Sequence, residues 1–246
     1  MENKPIVAIT MGDPFGNGPE ITVKALHDPK LYETCRPLVV GDASCMAYAL
    51  EVARKVSGID LQLHPIQEVK EALFQYGTID LIALGLVEPE QIPHNEKAPF
   101  GVGACALGGE AAFQYVIKVI DLAMKKQVDA TVTNALSKEA INMAGHHYSG
   151  HTEIYAEYTH TEHYTMMLAH ENLRVVHVST HVSLREAIER VKKPRVLEVI
   201  RIANAGCKAL GIKQPKIAVA GLNPHCGEGG LFGREEIEEN KPAIDE

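Results

Sequence analysis

An α/β architecture built on a parallel sheet is what this chain of 246 residues predicts, on two observations. Short β-branched runs alternate with longer segments of helical periodicity. Each run is apolar almost throughout, and a strand covered on both faces has no polar side to show, so such runs belong in a sheet flanked by crossover helices. With 46% hydrophobic residues and 23% charged, the chain can bury one large domain or two smaller ones.

In chain order the strand-like runs are "PIVAIT" (5–10), "RPLVVG" (36–41), "TIDLIAL" (78–84), "DATVTN" (129–134), "YTMMLAH" (164–170), "LRVVHVST" (173–180) and "KIAVAGLNP" (216–224). Between them, "GEAAFQYVIKVIDLAMKKQ" repeats apolar residues at helical spacing and closes on lysines. "SLREAIERV" and "PRVLEVIRIANAGCKALG" do likewise, the latter stopping at Gly211. The stretch "LVEPEQIPHNEKAPFGVGA" (86–104) is rich in Pro, Gly and charge without periodicity, and reads as a surface connection. No repeat or low-complexity segment is present.

Composition excludes several function classes. A formal net charge of −8 argues against an extended nucleic-acid footprint, which needs a basic face. Five scattered cysteines without a CxxC pair suggest neither a disulfide framework nor a thiolate zinc site. No segment approaches the roughly 18 apolar residues of a membrane span. A soluble, cytoplasmic protein with no nucleic-acid or membrane partner is expected.

Ligands of open α/β sheets collect at the carboxyl ends of strands, and the residues there are distinctive. "ITMGDPFGNGPEI" leaves a strand through Gly12, Gly16 and Gly18 and enters a helix with Pro19 and Glu20 in its first turn. Glycine permits either a tight turn or a backbone that approaches a ligand. The stretch does not fit G-x-G-x-x-G. The relaxed match at Gly101, Gly103 and Ala106 follows "EKAPF" and lacks the strand such a turn requires. After "DATVT", Ser137 is an N-cap candidate ahead of Lys138. In "GHHYSGHTEIYAEYT", His151, Thr152 and Glu153 open an amphipathic helix, where an imidazole, a hydroxyl and free amides can meet a phosphate or carboxylate, or form a capping turn. His181 and His225 each follow an apolar run, and neutral imidazoles at strand ends can converge on a metal or bond to a neighbouring loop. His177 lies inside its run and reads as a sheet-face residue.

Taken together and in this order, "MGDPFGNGPE", "GHTE", "STH" and "GLNPHCGEGG" resemble the PdxA family of dehydrogenases over almost the whole chain. The resemblance implies an isocitrate/isopropylmalate-dehydrogenase-like fold, two α/β/α domains with a cleft between them. The first would comprise residues 1–132 and 215–246, the second 133–214 with homodimer contacts. It also implies NAD and a divalent metal (Zn, Mn, Mg or Co), with His151 and Thr152 as substrate contacts and His181 and His225 as metal ligands. Where the family carries "TAP" before a lysine, this chain has Asn134, Ala135 and Leu136 ahead of Ser137 and Lys138.

The implied reaction is oxidation of a phosphorylated four-carbon hydroxy acid, 4-phosphohydroxy-L-threonine or threonate or erythronate 4-phosphate, followed by decarboxylation of the β-keto acid. The "AGHHYSGHTE" stretch looks closer to the threonate and erythronate branch. A ring-dihydrodiol dehydrogenase, a metal-dependent hydrolase and a catalytically incomplete fragment are the alternatives. The family's third metal histidine lies beyond residue 246, and "GREEIEENKPAIDE" ends without a C-cap glycine. The expectation is therefore an incomplete version of a longer enzyme, binding metal weakly and oxidising little.

Overall fold

The structure, a computed structural model, describes residues 4–92 and 103–246. Its chain divides into two compact units, Met1–Thr159 and His160–Glu246. Residues 93–102, most of the expected surface connection, and Gly101 with them, lie outside the described residues.

The first unit runs β1 (Ile6–Thr10), α1 (Gly18–Leu26), α2 (Pro29–Thr34), β2 (Arg36–Gly41), α3 (Ala43–Ser57), β3 (Gln62–Ile66), β4 (Thr78–Ala83), α4 (Ala106–Met124), β5 (Ala130–Val132), α5 (Lys138–Met143) and α6 (His151–Tyr158). Its five strands form one sheet in the order β3-β4-β2-β1-β5, and every ladder is parallel. The α/β class read from the sequence therefore holds. Ala8, Leu38, Val39, Val40, Ile79 and Leu81 are buried in the core with Met46 and Ala49 of α3, which is why those runs carry no polar alternation. α3 stops on Gly58, whose φ of 67° is the left-handed cap that glycine adopts without a Cβ penalty. The edge strand β3 tolerates Pro65 because an edge can spare a ladder donor.

A smaller core sits under α4, where Phe113, Val116 and Ile120 meet Ile141 of α5 and Ile154 of α6. Gly109 makes this packing possible: a Cβ there would stand 2.0 Å from Ala140 O, so α4 and α5 touch backbone to backbone. Residues 133–159, which the sequence assigned to a second domain, thus pack on α4 within the first unit, and 215–246 belong to the second.

The second unit holds β6 (Met167–His170), β7 (Leu173–Val176), α7 (Leu184–Arg190), α8 (Lys193–Ala209) and α9 (Lys241–Asp245). Here the strand expectations need correction. β6 and β7 pair antiparallel and expose Leu168, Leu173 and Val175. Only Glu171 and Asn172 separate them, and a two-residue link closes a hairpin but is far too short for the crossover a parallel pair demands. Residues 216–221 of "KIAVAGLNP" form no strand. β-branched residues favour a pleated surface only where a ladder partner exists, and among the described residues this unit's sheet has two strands. Val219 and Leu222 instead pack on Val191, Val196 and Ala243. The acidic final segment is tied to α8: at the helix start Glu239 accepts from Lys193 N (2.6 Å) and Glu246 pairs with Lys193 at 2.9 Å, and mid-helix Glu246 pairs with Arg201 at 3.2 Å. Negative charge at a helix start is favoured by the peptide dipoles. Among the described residues no helix is long and apolar enough to cross a membrane.

Candidate active site

The winding of the sheet reverses beside β1, with β2 on one side and β5 on the other, and in open α/β sheets this is where ligands collect. Two loops meet there. Asn134, after β5, donates from its side chain to Thr10 O (3.0 Å) and Thr22 Oγ1 (2.7 Å), and from its backbone to Thr10 Oγ1 (3.0 Å). Asp13 N donates to Ala135 O (3.0 Å). Gly12, at φ 81°, has Ala135 O only 2.7 Å from where a Cβ would stand. The crevice is therefore closed at this depth by its own backbone, with Asn134 as the lock. Nothing in sequence spacing joins Asn134 to Thr10 and Thr22, so the lock was not legible in advance. Asp13 accepts from Phe15 N (3.0 Å), and burial pushes its carboxyl above the ordinary range.

Farther along, Ser137 caps α5 by accepting from Ala140 N (3.1 Å), as the sequence predicted, with Lys138 exposed at the first helical position. The loop 145–150 then delivers His151 and Thr152 to the first turn of α6. Gly150 offers no side chain to cap that turn, leaving first-turn amides available to an anion. His151 is half-buried, and desolvation lowers its imidazole pKa, so it is neutral near neutral pH. Neutral imidazole has one donor and one acceptor. Thr152 is exposed beside it. α6 is pinned from behind, by Ile154 in the α4 core and by Tyr155 OH donating to Thr131 Oγ1 of β5 (2.8 Å).

His181 and His225 belong to the second unit. His181 lies in the loop after β7 with φ 55°, and His225 belongs to a run of left-handed residues from His225 to Gly230. Both are exposed. His225 does not follow a strand, contrary to expectation, since residues 216–221 form none. His177 lies just past β7, its carbonyl accepting from Thr165 Oγ1 (2.6 Å). Among the described residues no group of three or more His, Cys, Asp or Glu is placed to hold a metal ion. Two imidazoles fall short of the three protein ligands usual for catalytic zinc, so the described donor set does not by itself fit one. Nor does a dinucleotide-type glycine turn follow any described strand.

Residues 33–246 match the family described as "Pyridoxal phosphate biosynthetic protein PdxA". The chain belongs to the PdxA family. Similar PdxA-type proteins include the D-threonate 4-phosphate dehydrogenase of Cupriavidus necator, 42% identical over 98% of this chain and 69% of the relative. Among solved structures, 4-hydroxythreonine-4-phosphate dehydrogenase from Klebsiella pneumoniae superposes with a TM-score of 0.86 at 37% identity, covering 99% of this chain and 70% of that one. Terephthalate 1,2-cis-dihydrodiol dehydrogenase from Burkholderia xenovorans is more distant, with a TM-score of 0.60 and 29% identity over 99% of this chain and 70% of that chain. The dehydrogenase-like α/β fold of the PdxA relatives is thus the fold of this chain, which spans about 70% of their length.

Proposed function

We propose that this chain serves an oxidoreductase acting on a phosphorylated four-carbon hydroxy acid, with D-threonate 4-phosphate the favoured substrate and 4-phosphohydroxy-L-threonine the second. The supporting observation is 42% identity over nearly the whole chain to a relative of that name. The placement of "GHTE" at an uncapped helix start agrees with it. His151, Thr152 and the first-turn amides of α6 then hold the substrate's anionic and hydroxyl groups. His151 works as neutral imidazole, accepting from a hydroxyl at one nitrogen and donating to an oxygen at the other.

NAD and a divalent metal enter this reading through the family resemblance alone, as do His181 and His225 as ligands, the homodimer and a cytoplasmic location; among the described residues these two imidazoles do not complete a metal site. When bound, NAD would supply the acceptor for a hydride from the hydroxyl-bearing carbon. With the hydroxyl proton released to solvent the substrate would become a ketone, and where that ketone stands β to the carboxylate it would lose carbon dioxide. The dihydrodiol reading is weaker because its representative is the more distant structure.

The test is NADH formation with D-threonate 4-phosphate, 4-phosphohydroxy-L-threonine and a cis-dihydrodiol as competing substrates. His151→Ala should raise KM about tenfold or more. Burial lowers the folded pKa of His151, so the binding form persists as pH falls through the ordinary histidine value of about 6.5. KM should hold across that value and rise only at lower pH. Turnover of the dihydrodiol alone would overturn the proposal.

A further inference from the structure

The helix that carries His151 and Thr152 is gripped by a set of residues that no motif picks out. His146, five positions before His151, lies flat on the ring of Phe113, with centroids 3.7 Å apart and planes inclined by 14°. Its Nε2 donates to Glu110 Oε2 (2.7 Å), and the other oxygen of Glu110 accepts from Gln114 Nε2 (2.8 Å). Glu110, Phe113 and Gln114 are spaced i, i+3, i+4 on α4 and so share one helix face. That face presents an aromatic plane and a fixed carboxylate to one imidazole.

The same ring reaches further. Phe113 is almost fully buried and also contacts Tyr148 in the loop (5.8 Å, 17°) and Tyr158 at the far end of α6 (5.9 Å, 73°). His146 N donates to Ile141 O (2.9 Å), fixing the loop to α5 as well. The loop therefore meets α4 through a stacked ring and a directional hydrogen bond, which together set both height and rotation. An apolar contact alone would permit sliding.

We propose that Glu110, Phe113 and His146 form a positioning bracket that sets the register of His151 and Thr152 for substrate. The proposal rests on the reading that these two residues bind the substrate. Placement errors of about 1 Å at such contacts cost up to roughly a hundredfold in rate, whereas Glu110 is half-exposed and contributes little to the core. Function should therefore respond to its loss more than stability does.

Two measurements on the full chain decide it, using Glu110→Ala, Glu110→Gln and Phe113→Leu. The first follows the ring signals of His151 by NMR of protein with labelled histidine. In Glu110→Ala and Phe113→Leu the midpoint of His151 should move up toward the ordinary histidine value as α6 loosens and the ring hydrates. Glu110→Gln, which still accepts from His146, should stay close to the parent. The second is steady-state oxidation of D-threonate 4-phosphate, where Glu110→Ala should raise KM about tenfold with kcat within about twofold, and Glu110→Gln should restore most of the loss. An unchanged His151 midpoint in a folded Glu110→Ala variant overturns the bracket, as does a lowered Tm with KM unmoved. If the parent oxidises no phosphorylated hydroxy acid, the substrate reading falls, and the NMR arm still judges the bracket.

Discussion

The turn after β1, residues 11–18, and the turn at residues 221–230 are both rich in glycine, yet they draw on it in different proportion. In the first, glycine buys closeness: Gly18 leaves Met11 O 2.3 Å from where a Cβ would lie, and Gly12 admits Ala135 O and Asn134. In the second, glycine chiefly supplies handedness, although Gly227 also has Gly233 O 2.9 Å from where a Cβ would lie. His225, Cys226, Gly227, Glu228, Gly229 and Gly230 all have φ between 45° and 101°, and nothing lies within 4 Å of a Cβ at Gly229. The first turn is held by packing from its neighbours. The second must be held in a conformation that L-residues resist by about 1–2 kcal/mol each, so something outside the run has to fix it.

Two backbone donors beyond the run, Leu231 N to Glu228 O (3.3 Å) and Phe232 N to Gly227 O (3.1 Å), tie it from one side, and Glu236 anchors the residues that enter it. Its carboxylate accepts from Leu222 N (2.7 Å), Asn223 N (2.6 Å) and Asn223 Nδ2 (2.9 Å), just ahead of the left-handed run. Asn223 Nδ2 also donates to Glu235. The bonds from the Asn223 side chain and backbone pull the Glu236 pKa down to about 2.

Gly18→Ala should cost the most. The intruding methyl meets a main-chain oxygen that cannot swing aside as a side chain would, and the variant should lose about 3 kcal/mol by urea unfolding, the upper end for overpacking. A loss below about 1 kcal/mol would mean that the first turn is not closed by backbone contact. Next comes acid. A carboxylate whose folded pKa is depressed stabilises fully above its unfolded value, here 4.5, and loses that contribution as pH falls toward about 2. Limited proteolysis should show the 221–230 turn opening over that window in the parent, while Glu236→Gln shows a flat response from an already loosened turn. Equal pH profiles would remove Glu236 from its role. Smallest of all, Glu228→Gly should raise Tm slightly, by about 0.5–1 kcal/mol in stability, because it relieves a left-handed residue at φ 45°. A lowered Tm would show that the Glu228 side chain holds the turn.

Elements differ in how plainly the sequence discloses them. β2 and β4 coincide with their apolar runs almost residue for residue, because a strand buried on both faces advertises itself. α4 and α8 were equally plain, being long and periodic. α3 escaped notice: its inward face is built from Cys45, Met46, Ala49, Leu50 and Ala53, where small residues blur the period. β3 escaped because "QLHPI" mixes histidine and proline into an edge strand. In the second unit the apolar runs 164–170, 173–180 and 216–224 overstated the sheet, since pattern records a preference and a ladder needs a partner. At the site, "GHTE" was legible as a string, but the contact between His146 and Glu110 spans 36 positions with no periodicity linking them. The Asn134 lock spans 124 and 112 positions to Thr10 and Thr22.

The place of β1 in the sheet bears on how the chain is made. Its partner on one side, β2, is translated about 30 residues later, but Ala8 meets Thr131 on the other side. At about 5–20 residues per second, that second edge waits roughly 6–25 s for its neighbour. During the wait a row of main-chain donors and acceptors on an apolar strand faces whatever is nearby, which is the situation that invites mispairing between nascent chains. Yield from synthesis should therefore depend on the pace of translation between α1 and β5, and on any holding chaperone present over that interval, more than on the pace at which the following unit is added.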